Sequence, residues 1–237
     1  RSCIMQKEDL IKKNPLRVLS PLSTESLPDH RMGLIMARAG LGKTAILVQI
    51  AMDSMLRGHK VLHVSIGEGL EKAKAWYEDI YKYIVESFQL DNAPEVEDEL
   101  MRSRMIMTFK ESAFSRLKLE ERLNDLVYQN IFRPDIVVVD GFDFAEADYV
   151  SVMDLKEMMA AMNVQGWFSA LRHRNDNRKS ITGVPAPCHE MDGLFDTIIL
   201  LQPEKDSILL NIIKDEYDSA AGKILNLDPS TMMVKEA

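Results

Sequence analysis

The sequence predicts an α/β fold in three layers: a mostly parallel central sheet, helices on both of its faces, and β-hairpins at the C-terminal end. Three observations carry this expectation. Short, continuously apolar runs such as Ile136–Val139 read as strands buried on both faces, the form parallel strands take. Longer segments with apolar residues at helical spacing lie between them, so strands and helices alternate. Near the end, the strand-like runs are separated only by short polar turns.

Taken in order, residues 1–30 read as an N-terminal extension and residues 31–237 as one domain. The extension holds a short helix, Glu8–Lys13, and an irregular stretch broken by Pro15, Pro21 and Pro28. Gly33–Ala37 is the first strand. Lys43–Leu56 is a helix with Ile46, Leu47, Ile50, Ala51 and Met55 on one face, and Gly58 ends it. Val61–Ile66 is a strand, followed by a long helix, Leu70–Phe88, with Ala73, Trp76, Tyr77, Ile80, Tyr83 and Ile84 at helical spacing. The acidic stretch Asp91–Glu99 around Pro94 reads as a surface excursion. Met105–Phe109 is a short strand, Leu117–Ile131 a helix and Ile136–Val139 a strand. Val152–Met162 is a helix with Leu155, Met158, Met159 and Met162 inward, and Gly166–Leu171 a strand. A polar loop, Arg172–Pro187, precedes strands Thr197–Leu201 and Ile208–Ile213. Lys223–Leu227 and Met232–Val234 close the chain as a hairpin around Asp228-Pro229-Ser230.

Composition narrows the function. The 237 residues are 46% hydrophobic, enough for one large core. The net charge of −8, from 37 acidic and 29 basic residues, argues against a general nucleic-acid coat, which needs basic surface. The two cysteines, Cys3 and Cys188, stand far apart in no metal spacing and fit a reducing cytoplasm. No apolar run approaches the ~18 residues of a membrane span, so no membrane partner is expected. Residues 1–14 are polar and charged, which predicts no signal peptide. The chain opens at Arg1, and Met5 is the expected natural start.

Ligands of parallel α/β sheets sit beyond the carboxyl ends of the strands. Just after the first strand comes Ala37-Arg38-Ala39-Gly40-Leu41-Gly42-Lys43-Thr44, and a helix follows at once. This matches the phosphate-binding pattern G-x-x-x-x-G-K-[ST] except at its first glycine, which is Ala37. Gly40 and Gly42 let the backbone curl so that its N–H groups face a β-phosphate. The helix beginning near Lys43 adds its positive end to the same anion. In such a loop Lys43 bridges the β- and γ-phosphates, and the Thr44 hydroxyl ligates Mg²⁺. Asp140 ends the apolar strand Ile136–Val139, the form of an acid that holds the magnesium through water. Mg-ATP is therefore the expected ligand; no Asn/Thr-Lys-x-Asp element for reading guanine is present.

With these residues in hand, the chain resembles a RecA-like P-loop ATPase core, in the branch that holds the DnaB-type replicative helicases and the KaiC/RadA-like proteins. The loop with its Ala-Arg start, VLHVSIGE at 61–68, DIVVVD at 135–140 and the closing strands carry the likeness. The resemblance implies a RecA-like nucleotide-binding domain over residues 31–237. It implies Glu68 as the carboxylate that polarises the attacking water, with Glu71 second. The family places that acid one or two residues after a serine like Ser65, and Gly67 fills one of those places. It also implies Arg172, at the end of strand Gly166–Leu171, as the sensor of the γ-phosphate, with His173 and Arg174 beside it. One departure stands out. The helicases carry a basic Lys-x-Arg element after a late strand, whereas Lys214 is followed by Asp215-Glu216-Tyr217-Asp218. No counterpart of the helicases' separate N-terminal domain is expected either, and both departures speak against hexameric unwinding.

Three functions follow from this reading. The first is a Mg-ATPase coupling hydrolysis to conformational change, with assembly of identical chains compatible with it. The second is a nucleotide-binding regulatory protein with little or no hydrolysis. The third is an accessory ATPase on single-stranded nucleic acid, which only the basic loop Arg172–Lys179 favours against the negative net charge. A small-molecule kinase ranks below these, because no arginine-rich lid is present.

Overall fold

The computed structural model describes residues 6–19, 31–173, 175–216 and 220–235. The expectations for Cys3, Met5, Pro21, Pro28, Arg174, Tyr217 and Asp218 lie outside them. In chain order the elements are α1 (Lys7–Lys13), β1 (Met32–Ala37), α2 (Lys43–Leu56), β2 (Val61–Ile66), α3 (Leu70–Phe88), α4 (Ala93–Ser103), β3 (Arg104–Phe109) and α5 (Arg116–Tyr128). They continue with β4 (Ile136–Asp140), α6 (Tyr149–Ala161), β5 (Gln165–Leu171), β6 (Thr197–Pro203), β7 (Ile208–Asp215), β8 (Ile224–Leu227) and β9 (Val234–Lys235).

The strands form one nine-stranded sheet in the order β3-β2-β4-β5-β1-β6-β7-β8-β9. The pairs from β3 to β6 are parallel, and β6 through β9 pair antiparallel. This is the mostly parallel α/β architecture that the alternation of strands and helices predicts. Successive residues of a strand face opposite sides, and the two sides build two apolar clusters. Ile35, Val138, Trp167 and Ile199 pack with α2, α3 and α4 on one side. Leu34, Val139, Phe168 and Ile198 pack with α5 and α6 on the other. Among the described residues no helix is long and apolar enough to cross a membrane.

One segment departs from expectation. The acidic stretch read as a surface excursion is helix α4. Pro94 sits in its first turn, where a missing N–H is harmless, and Asn92 precedes it as the cap. Val96 and Leu100, four residues apart, are both buried against the α2 side of the core. The glutamates form the solvated face, and their number hid a two-residue apolar stripe.

The N-terminal residues are part of the same packing. Leu10, Leu16 and Leu19 are buried in the α2-side cluster. Asp53, buried near the end of α2, gathers three partners: an ion pair from Arg17, a hydrogen bond from Asn14 Nδ2 at 2.9 Å, and Arg57 Nε at 3.3 Å. Two of these come from the N-terminal segment, so one carboxylate ties residues 14–17 to the helix that carries the phosphate-loop motif. Removing one side of a buried ion pair costs about 3–5 kcal/mol, because the remaining charges lose their partner in a poorly solvated place. Asp53→Ala is expected to lower unfolding stability by about that amount in a urea melt. A loss under ~1 kcal/mol, the scale of an exposed pair, would show that the segment is held by Leu10, Leu16 and Leu19 alone.

Candidate functional site

The site lies where β1, β2, β4 and β5 end. β1 stops at Ala37, which is buried and paired with Leu171 of β5. The chain then leaves the sheet through residues 38–42 and enters α2 at Lys43. Gly40 and Gly42 have φ of 78° and 87°, a left-handed backbone that L side chains adopt only with strain. The α2 N-terminus has no side-chain cap and no acidic residue in its first turn. Ser115 caps α5 and Asp148 caps α6, whereas α1, α3 and α4 have no side-chain cap either. The free N–H groups and dipole of α2 are thus left for an anion at the loop. The closing strands hold α2 itself. Gln49 on α2 donates to the Met232 carbonyl at 2.6 Å and accepts from Val234 N at 3.2 Å.

Strand register sets the second half of the site. β2 and β4 pair with Ser65 beside Asp140 and His63 beside Val138. Residues at one register level of parallel strands share a face, so His63, Ser65 and Asp140 project toward α2. There the Thr44 hydroxyl donates to Asp140 Oδ2 at 2.6 Å, and the Ser169 hydroxyl of β5 donates to Oδ1. Ser169 Oγ also accepts from the Gly141 N–H at 3.3 Å. The Lys43 ammonium is half-buried; burial pushes its pKa down, and the nearby Asp140 carboxylate opposes that.

These donors suit magnesium. Thr44 and Asp140 offer hard oxygens side by side, while no cluster of three or more His, Cys, Asp or Glu side chains that could cage an ion occurs among the described residues. Mg²⁺ is commonly held this way, by one or two protein oxygens with water and substrate phosphates completing the octahedron.

A cavity of about 970 Å³ opens from Lys43, Thr44 and Asp140 across the ends of β2 and β3. Its walls hold Glu68, Lys72, Glu111, Phe142 and His173. That volume is at the upper end for small-molecule sites, so the cavity has room beyond a triphosphate tail. Residues 38–42 do not line it.

The other predicted residues are placed as follows. Glu68 lies on the cavity wall with its side chain 53% exposed, and Lys72 Nζ contacts its Oε1 at 2.6 Å. Glu71 is 85% exposed, pairs with Lys74 and does not line the cavity. Arg172 does not line it either, although Leu171 and His173 on each side of it do. Its backbone N–H donates to the Ala37 carbonyl at 2.8 Å, extending the β1–β5 pairing. Its Nε is buried with no partner among the described residues. In the basic loop, Arg178 is spent on Asp176 at 2.6 Å. Lys214 is paired with Glu216 at 2.8 Å.

Three residues of this site were not singled out by the sequence reading: Ser169, His63 and Glu111. His63 sits mid-strand with 1% exposure; its Nδ1 lies 3.0 Å from the Tyr77 hydroxyl of α3, and burial drives its pKa down so that the ring is neutral at pH 7. The available signal was a polar side chain inside an otherwise apolar run: His63 and Ser65 in VLHVSI and Ser169 in WFSAL. Glu111 had no such signal, because it falls in the connection after β3. No protein-family model matches the chain, and no curated protein matches it either.

Proposed function

We propose that this chain is a Mg-ATPase of the RecA-like P-loop kind, related to the DnaB-type helicase and KaiC/RadA-like branch, that couples hydrolysis to a conformational change. The observation that carries the reading is the 2.6 Å contact between Thr44 and Asp140 beside Lys43, at a helix N-terminus left uncapped. A loop lysine, a loop hydroxyl and a strand-end aspartate are the set that Mg-ATP requires. In this reading the backbone of residues 37–44 and the α2 N-terminus cradle the phosphates. Lys43 offsets charge on the transferred phosphoryl group, Thr44 ligates the ion, and Asp140 holds it through water. Bound magnesium supplies charge neutralisation at the terminal phosphates. Glu68 and Glu111 are carboxylates on the wall of the cavity that opens from that point.

A second reading, a nucleotide switch with little hydrolysis, is favoured by one feature. Glu68 is engaged by Lys72, and Lys214 by Glu216, so neither projects as a free charge. The pairing of Arg178 with Asp176 likewise weakens the nucleic-acid reading. The test is phosphate release from Mg-ATP, measured with and without single-stranded DNA and RNA, next to calorimetry of Mg-ATP binding. The ATPase reading expects magnesium-dependent release that EDTA abolishes and nucleic acid leaves unchanged. Tight binding without release would select the switch, and no binding would overturn both.

A further inference from the structure

We infer that Glu111, rather than Glu68, is the carboxylate that orients the attacking water; this rests on the Mg-ATPase reading. β2 and β3 run parallel with Ile66 beside Phe109, and the Gly67 N–H donates to the Phe109 carbonyl at 2.9 Å. The two chain ends therefore leave the sheet together. Two residues later, the Glu111 side chain folds back over β2. A Cβ built on Gly67 would lie 2.7 Å from Glu111 Oε1 and 3.0 Å from its Cγ. The carboxylate of Glu111 thus fills the space that a side chain at position 67 would take.

That placement moves an acid from the edge strand toward the strand beside β4. Ser65 is level with Asp140, and Gly67 lies two residues beyond it, just past the end of β2. Gly67, Glu111, Lys43, Thr44 and Asp140 all line the one cavity. Position 67 carries φ of 82°, so the chain keeps glycine there and leaves the space open.

Charge pairing separates the two candidates. One Glu68 oxygen accepts from the Lys72 ammonium at 2.6 Å, so that cation competes with water for the Glu68 carboxylate. Glu111 has no ion pair and no side-chain hydrogen bond among the described residues. In the reaction, the water oxygen bonds to the γ-phosphorus and the bond to the β,γ-bridging oxygen breaks. ADP leaves with that electron pair. The free carboxylate takes the water's proton and later returns it to solvent, giving ADP, phosphate and a proton.

Glu111→Gln and Glu68→Gln, made separately in the full chain, test this. Glu111→Gln is expected to lower phosphate release at least ~10²-fold, the scale of a lost general base, while the Kd for Mg-ATP stays within about twofold. Nucleotide recovered with that variant after rapid desalting should be ATP rather than ADP, a readout that a loop-stabilising glutamate would not move. Glu68→Gln should keep turnover within about threefold, since it removes only an exposed ion pair. Parent-like turnover in Glu111→Gln, or collapse in Glu68→Gln alone, would overturn the assignment and leave the ATPase reading standing. Mg-ATP binding without turnover in the parent protein would overturn the assignment together with hydrolysis.

Discussion

Lys43→Ala is expected to weaken Mg-ATP binding by at least ~10²-fold while leaving the fold intact. Hydrogen bonds to charged partners contribute about 1.5–3 kcal/mol each, and the ammonium would bridge two phosphates. About 1.4 kcal/mol is a factor of ten in affinity, so losing both contacts reaches the stated range. Stability should not suffer electrostatically. Burial lowers the Lys43 pKa from its usual 10.5, so the unfolded chain holds that proton more tightly than the folded one. The contribution of this group to stability therefore rises with pH toward 10.5, and at neutral pH the buried ammonium is a net burden. The alanine variant should lose that rise. Calorimetry showing parent-like affinity would remove the phosphate-loop assignment, whatever happens to the melting curve.

The reason the motif could be read in the sequence is that it is local. The elements that build it are contiguous: a buried strand, a glycine-bearing turn, a lysine, a hydroxyl and a helix. Both ends of α2 fall where the sequence places them, at Lys43 and Leu56. Asp140 was legible for a similar reason, as the first polar residue after a wholly apolar strand. Its second hydroxyl partner was not. Ser169 lies on β5 and reaches Asp140 only because β4 and β5 are neighbours in register, a fact that no spacing along the chain contains.

Arg172 and Glu111 show the same limit from two directions. Ser169, Leu171 and His173 line the cavity, and the two-residue period of a strand turns the side chain between them away. Arg172 is thus off this wall while its neighbours are on it, a one-residue difference at the end of a strand that the sequence does not register. Glu111 lies 43 positions after Glu68 in the numbering, yet its carboxylate covers Gly67, because β3 pairs with β2 at the sheet edge. The α4 helix adds a third case. Its acidic surface outweighed the Val96–Leu100 stripe that packs it, since composition counts solvated residues as heavily as buried ones.

Asp140→Asn is the sharper test of the metal half of the site. The carboxylate now accepts from two hydroxyls, Thr44 and Ser169, one on each oxygen. An asparagine keeps one acceptor oxygen and presents N–H donors at the other position, so one hydroxyl must turn away or lose its acceptor. It also removes the negative charge that would face a bound magnesium. Changes to groups that support a metal without binding it directly cost about 10–100-fold in metal affinity. The magnesium concentration for half-maximal ATP binding is expected to rise by that factor of about 10–100. Ser169→Ala should move the same midpoint in the same direction by less, because it leaves the charge and only frees the carboxylate to turn. A magnesium titration of nucleotide binding in both variants reads these shifts directly. If Asp140→Asn titrates like the parent while melting lower, Asp140 serves only to tie β4 to α2 and β5, and the ion must be held elsewhere.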